Sequence, residues 1–159
     1  MVWFLLQCDP MKQEIVFNFS SPESSHGFLL YKVYATWEGG IKNVLKKHNL
    51  THPQFVILTT TAWFVTFEEA PTQKALSEKT GIDVMTTSVI IQSLIKKWYI
   101  QRTPATEDKR AYKISLTEIG KKKVQESMDA VDTYDKAFFS TLSEDEKHNL
   151  STLFLKFIK

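Results

Sequence analysis

Apolar residues recur at three- and four-residue spacing through most of the chain, and this periodicity sets the expected elements. Residues 25–48 form one long helix pattern, with Leu30, Val33, Tyr34, Trp37, Ile41, Val44 and Leu45 on a single face. Gly39 and Gly40 interrupt it. Two glycines cost about 2 kcal/mol relative to alanines, so the helix is expected to bend there or to be approached closely by another backbone. Asn49 is the expected C-terminal stop. The run Thr51-His52-Pro53-Gln54 fits a capping box with proline in the first turn. It opens a helix over residues 54–65 that is apolar nearly all round, from Phe55 and Val56 to Trp63 and Phe64. Such a helix is expected at the centre of the fold.

Residues 66–71 read as an exposed link. Residues 72–80 form a short helix pattern capped by Thr72, anchored by Leu76 and stopped by Gly81, where positive φ costs glycine little. Asp83 caps a second helix pattern to about residue 97, with Val84, Ile91, Leu94 and Ile95 as its apolar face. Two strand-like runs, 99–103 and 111–116, flank a polar loop. Helix, tight turn, helix and hairpin make the plan of a winged helix-turn-helix. Thr117 then caps a long helix to about residue 142, with Val124, Met128, Val131, Ala137 and Phe138 on its buried side. A second capping box, Ser143 to Glu146, opens a final helix striped by Leu150, Leu153, Phe154, Phe157 and Ile158.

The expected fold is therefore mainly α with a small β-wing. Residues 1–24 form an arm, with a short strand in 13–19. Residues 25–65 and 117–159 form a helical region in which every apolar stripe needs a partner. Residues 66–116 form the winged head.

The segment Arg102-Thr-Pro-Ala-Thr-Glu-Asp108-Lys109-Arg110-Ala-Tyr-Lys-Ile-Ser-Leu116-Thr117-Glu-Ile-Gly120 resembles the wing signature of the MarR family of bacterial transcriptional regulators. That signature is an Arg, then Asp-x-Arg six residues on, then Leu-Thr-x-x-Gly. The resemblance spans about residues 25–159. It implies a homodimer, joined through the helical bundle, that binds palindromic double-stranded DNA operators and releases them when a ligand or oxidant arrives. It also implies that Arg110 enters or borders the minor groove while Asp108 orders the loop. Two departures stand out. Many members carry Arg where Val89 and Ser93 stand here, and glycine where Trp98 follows Lys96 and Lys97.

Charge sharpens the picture. The net charge is only +2, yet residues 96–123 hold nine basic and three acidic residues, an excess of +6. This is the footprint expected of phosphate contacts; the plain alternative is a solvated lysine-rich face. The 159 residues suffice for one domain, with 43% apolar and 24% charged residues. No apolar run approaches the ~20 residues a membrane-spanning helix needs. The start is a poor signal peptide, Met11 is an alternative start, and the single Cys8 precludes an intramolecular disulfide, so a cytoplasmic protein is expected.

The DNA-binding candidates are Thr72 and Gln73 at the first head helix, Thr86, Thr87, Ser88 and Gln92 on the recognition helix, Lys96 and Lys97 after it, and Arg102, Asp108, Lys109 and Arg110 on the wing. There is no basic residue between Lys79 and Lys96, so short hydroxyls, the amide and a threonine methyl are expected to read an A·T-rich site. Against Arg110 as a DNA contact stands a plain surface pair with Asp108, worth ~0–1 kcal/mol.

Tyr31, Tyr34, Trp37, His52, Phe55 and Trp63 are candidates for an effector pocket taking a small aromatic or lipophilic ligand. Core packing is the simpler account of most of them. The stretch from Leu50 to Phe55 resembles the family segment beside the effector crevice. Cys8 has no basic neighbour to lower its pKa and reads as an inert thiol. The cysteine that some family members use to sense peroxide falls at Gly27 here. His48 and His52 are four apart but separated by a helix break, so no metal site or cofactor is expected. Enzyme motifs are lacking: no Gly-rich phosphate loop, Gly-x-Ser-x-Gly or Cys-x-x-Cys occurs. The reading is a sequence-specific regulator, a repressor relieved by a small molecule. The alternatives are a winged helix that docks only protein, or a metal-gated regulator.

Overall fold

A computed structural model describes residues 18–104 and 112–158. The chain divides after Ala35 into two compact units. In the first, a turn of 3-10 helix at Pro22–Ser24 precedes helix α1, His26–Lys46. Ser25 Oγ accepts from the Phe28 N–H at 3.3 Å and closes the first turn. The strand expected over 13–19 lies largely outside the described residues, and its last two positions form a bend rather than a strand. Cys8 and Met11 also lie outside them.

The second unit holds the C-terminal half of α1 and the remaining elements: α2 (His52–Phe67), α3 (Gln73–Thr80), α4 (Val84–Lys96), β1 (Ile100–Pro104), β2 (Tyr112–Leu116), α5 (Glu118–Phe138) and α6 (Glu144–Leu155). Local chemistry sets these boundaries. Thr51 and Gln54 form the capping box of α2, and Ser143 and Glu146 that of α6. Thr117 Oγ1 accepts from the Gly120 N–H at 3.0 Å at the start of α5. Helix α5 stops at Phe138 and passes into a 3-10 turn, Phe139–Thr141, four residues before its expected end.

The core of this unit is drawn from α1 to α5 and both strands. Ile41 and Leu45 of α1 meet Ile57 and Leu58 of α2, Leu76 of α3, Ile90, Ile91 and Leu94 of α4, Ile100 and Ile114 of the hairpin, and Val124 and Val131 of α5. Helix α2 is central as expected, but it is not buried all round. Gln54, Ile57, Leu58 and Thr61 face inward, while Trp63, Val65 and Phe67 are exposed. In α4, Ile90 replaces Val84 on the buried face, and Val84 lies exposed. In α6 no residue is buried, and Phe157 and Ile158 lie beyond its end.

The two glycines of α1 have different surroundings. The helix runs unbroken through both. A Cβ on Gly39 would meet nothing, whereas one on Gly40 would overlap the Tyr134 ring. The close approach is thus by a side chain of α5, not by another backbone. Tyr134 OH donates to the Trp37 carbonyl at 3.3 Å, and Trp37 Nε1 donates to Asp135 Oδ1 at 2.7 Å. Together these clamp α5 against α1.

Strands β1 and β2 pair antiparallel, with Ile100 opposite Leu116 and Pro104 opposite Tyr112. Ile114 N also donates to the Pro71 carbonyl at 2.8 Å, and Thr72 bridges to Lys113. The wing is therefore fastened to the entry of α3. Among the described residues no helix is long and apolar enough to cross a membrane.

Candidate nucleic-acid interface

The turn between α3 and α4 is fixed by short polar side chains. Gly81 takes φ +70° as the left-handed C-cap of α3. Asp83 caps α4 by accepting from the Thr86 N–H at 2.9 Å, and its hydrogen bonds with Thr86 hold its carboxyl below the usual carboxylate range. Ser77 Oγ and Thr87 Oγ1 both donate to the Ile82 carbonyl, at 2.6 and 3.2 Å. Thr87 is completely buried. This corrects its expected place among the base contacts: its hydroxyl closes the turn from inside.

A second network seats the far end of α4. Gln54 Nε2 donates to Ser93 Oγ at 2.8 Å, and Lys97 Nζ donates to Gln54 Oε1 at 3.0 Å and to the Asn49 carbonyl at 2.6 Å. Burial pushes the Lys97 ammonium below its ordinary pKa. Lys97 is turned inward, contrary to its expected role beside the DNA backbone. Gln54 is itself buried, so the ammonium and the Ser93 hydroxyl satisfy an amide that would be costly left alone.

The face of α4 left to solvent carries Met85, Thr86, Val89, Gln92 and Lys96, with Ser88 beside them. Met85 and Val89 are 80% and 67% exposed, and sequence reasoning placed neither among the contacts. Their spacing to each other and to Gln92 and Lys96, one turn apart each time, was the available signal.

At the N-terminal ends of α3 and α4 lies an open groove of about 500 Å³, lined by Thr72, Gln73, Lys74, Val84, Arg102, Tyr112 and Ile114. It brings the expected residues Thr72, Gln73 and Arg102 together, between the helices and the wing. Gln73 Nε2 donates to the Val84 carbonyl at 3.3 Å across its floor. Asp108, Lys109 and Arg110 lie outside the described residues. Within the basic segment, Lys113 pairs with Glu69 at 2.8 Å, Lys121 with Glu118 at 2.6 Å, and Lys123 with Glu126 at 3.1 Å. Of the +6 excess, two charges are thus offset by acids outside the segment, Glu69 and Glu126.

The end of the wing is a clasp. Thr117 Oγ1 donates to the Trp98 carbonyl at 2.5 Å, and Thr117 N donates to the Tyr99 carbonyl at 3.1 Å. Trp98 takes φ +60°, the left-handed conformation that glycine adopts without strain. The tryptophan therefore stands in a glycine conformation, with its indole exposed.

The effector candidates of the second unit fall in two places. Trp37 and His52 meet edge to face at 5.2 Å. Phe55 is half-buried against the core. Tyr31 and Tyr34 are exposed on the first unit. Trp63 lies elsewhere, under the Lys79 ammonium at 4.3 Å, in a groove of about 690 Å³ between α2, α3 and α5. Among the described residues no group of His, Cys, Asp and Glu converges as a metal site.

Residues 40–127 match the family model described as transcriptional regulator SarA/Rot. The chain belongs to the SarA/Rot family of transcriptional regulators. The matched span runs from the Tyr134-covered Gly40 to the middle of α5 and contains the whole helix-turn-helix and wing. The chain is 37% identical to the HTH-type transcriptional regulator YdcH of Bacillus subtilis, over 81% of this chain and 88% of the relative. It is 32% identical to the HTH-type transcriptional regulator SarZ of Staphylococcus haemolyticus, over 77% of this chain and 81% of the relative. Its fold is that of a MarR mutant of Escherichia coli solved with operator DNA: the TM-score is 0.75 at 21% identity, over 84% of this chain and 93% of that one. This SarA/Rot-family member is a helix-turn-helix, DNA-binding transcriptional regulator with the MarR fold. In it, α4 is the second helix of the helix-turn-helix, and the β1–β2 hairpin follows it.

Proposed function

We propose that the protein is a homodimeric repressor that binds palindromic double-stranded operators and leaves them when a small molecule binds. One observation carries the DNA contacts: the exposed stripe of α4 and the Thr72–Gln73–Arg102 groove border the same helix entry, with the wing beside them. Thr86, Ser88 and Gln92 face base edges, Lys96 a phosphate, and Thr72, Gln73 and Arg102 the adjoining backbone. Arg110, with Asp108 and Lys109, is a further DNA contact on the strength of the wing motif in the sequence; a guanidinium suits a narrow groove of strong negative potential. The chemistry is recognition, not catalysis.

Two uncovered apolar surfaces support the dimer. Leu29, Leu30 and Val33 are exposed on α1, and Leu153, Phe154, Leu155, Phe157 and Ile158 on and after α6. Buried between two copies, they hold two heads at the separation of successive half-sites, ~34–36 Å.

For the effector, the Trp63 groove is favoured over the Trp37–His52 contact. It is open, about 690 Å³, and combines an aromatic ring and Lys79 with Thr59, Gln125 and Met128. That lining suits an aromatic acid. A ligand there presses on α2, α3 and α5 together and alters head spacing.

Light scattering should give a dimer. Gel-shift titration should give operator binding that weakens steeply with salt, and Arg110→Ala should weaken it severely without lowering the melting temperature. A monomer, or binding to duplex DNA with no salt slope, contradicts the reading and favours a protein-docking winged helix. Aromatic acids should raise the melting temperature and release DNA, and Trp63→Ala should abolish both effects.

A further inference from the structure

Helix α4 presents a face that is unusual for a surface bound for DNA. Its two most exposed apolar side chains are Met85 and Val89, one helical turn apart. Neither joins the core. An exposed thioether and isopropyl group side by side on a solvated helix gain nothing for folding, and they keep apolar surface in water. Val84, also exposed, flanks them at the helix entry. No basic side chain stands on the helix before Lys96, so the arginine–guanine contact that reads G·C pairs is unavailable on this face.

The major groove offers one apolar feature, the 5-methyl group of thymine. The remaining groove-facing side chains agree with it. Thr86 adds a methyl and a hydroxyl at an exposed position. Gln92, one turn beyond Val89, carries the amide that pairs with adenine N6 and N7, the partner of the same thymine. Lys96 closes the stripe as a phosphate contact.

We propose that Met85 and Val89 are specificity-determining residues that select thymine by burying its 5-methyl group, with Gln92 reading the paired adenine. The inference rests on the assignment of α4 to the major groove. It adds that discrimination comes from apolar burial rather than from charged hydrogen bonds. The Ser93–Gln54–Lys97 network gives this mode a rigid support: it fixes the rotation of α4, so the methyl-bearing stripe meets the groove in one register.

The test uses the full chain and a duplex it selects from a random-sequence pool. The same duplex is then synthesised with deoxyuridine in place of thymidine, which removes only the methyl group. Each contacted methyl lost should weaken binding about three- to fourfold, the value of one buried methyl group. The Met85→Ala, Val89→Ala double variant should bind the thymidine and deoxyuridine duplexes alike, and an unchanged melting temperature verifies its fold. Equal wild-type affinity for both duplexes, a consensus of G·C pairs alone, or a double variant that keeps the full thymidine preference overturns the proposal while DNA binding stands. Failure to recover any duplex overturns the DNA reading itself, and this inference with it.

Discussion

The carbonyl oxygen of Tyr99 rests on the α-carbon of Gly120, and a β-carbon there would overlap it. This contact, with the Thr117 hydrogen bonds to Trp98 and Tyr99, closes the wing onto the first turn of α5. The Leu-Thr-x-x-Gly part of the wing motif is thus a clasp: threonine caps the helix and glycine admits the carbonyl. Gly120→Ala should destabilise the protein by about 2 kcal/mol or more, because the obstructing atom is backbone. A urea or thermal midpoint equal to wild type would contradict this.

The neighbouring glycines of α1 should respond in opposite directions. Gly39→Ala meets open space on a helix and should stabilise by about 0.5–1 kcal/mol. Gly40→Ala must displace the Tyr134 ring and its hydrogen bond to Trp37, and should destabilise. Thermal melts of the two variants, compared side by side, check the opposed signs.

Trp98 holds a left-handed backbone conformation while 73% exposed, so its side chain returns little packing for that strain. Trp98→Gly should raise stability by up to about 1 kcal/mol, since the strain relieved exceeds the added freedom of the unfolded chain. A lower melting point would show that the indole packs better than its exposure implies.

Adjacent lysines should separate cleanly. Lys96 is exposed at the end of the α4 stripe, whereas Lys97 is bonded to Gln54 and Asn49. Lys96→Ala should reduce the slope of log affinity against log salt by about 1, with stability unchanged. Lys97→Ala should lower the melting temperature, because the Asn49 carbonyl and the Gln54 oxygen both lose the ammonium, leaving Gln54 Oε1 with the Thr51 N–H. The reverse pattern in salt titrations and melts would exchange the two roles.

Burial lowers the pKa of His52 below its ordinary 6.5, against the upward pull of Glu38 and Asp135 and with a further downward push from Lys42. The unfolded chain therefore takes up this proton first as pH falls. The stabilisation is fully present above pH 6.5 and declines as pH drops through that value toward the folded pKa. The stability difference between wild type and His52→Gln should shrink across that window in thermal melts; a constant difference would mean that His52 keeps its ordinary pKa in the folded protein.

The elements themselves were legible because their signals are local. Thr51 and Gln54, Ser143 and Glu146, and Thr117 and Gly120 each close a helix start within three residues, and Gly81 ends α3 through its own φ. The order helix, turn, helix, hairpin follows from these signals and the apolar period, while the family resemblance rests on the motif from Arg102 to Gly120.

What each side chain faces was decided elsewhere. The amphipathic period of α4 names a stripe but does not say which hydroxyl falls inside it: Thr87 is buried and Thr86, its neighbour, is exposed. Lys97 is drawn inward by Asn49 and Gln54, which precede it by 48 and 43 residues, and Ser93 is held by the same glutamine across 39. Trp37 and Trp63 belong to different surfaces because α5 takes the first through Asp135 while Lys79 of α3 covers the second. Caps and turns are satisfied by groups within a turn of the chain, so sequence determines them. Burial and charge pairing depend on distant groups brought close by packing, and only the tertiary structure sets them.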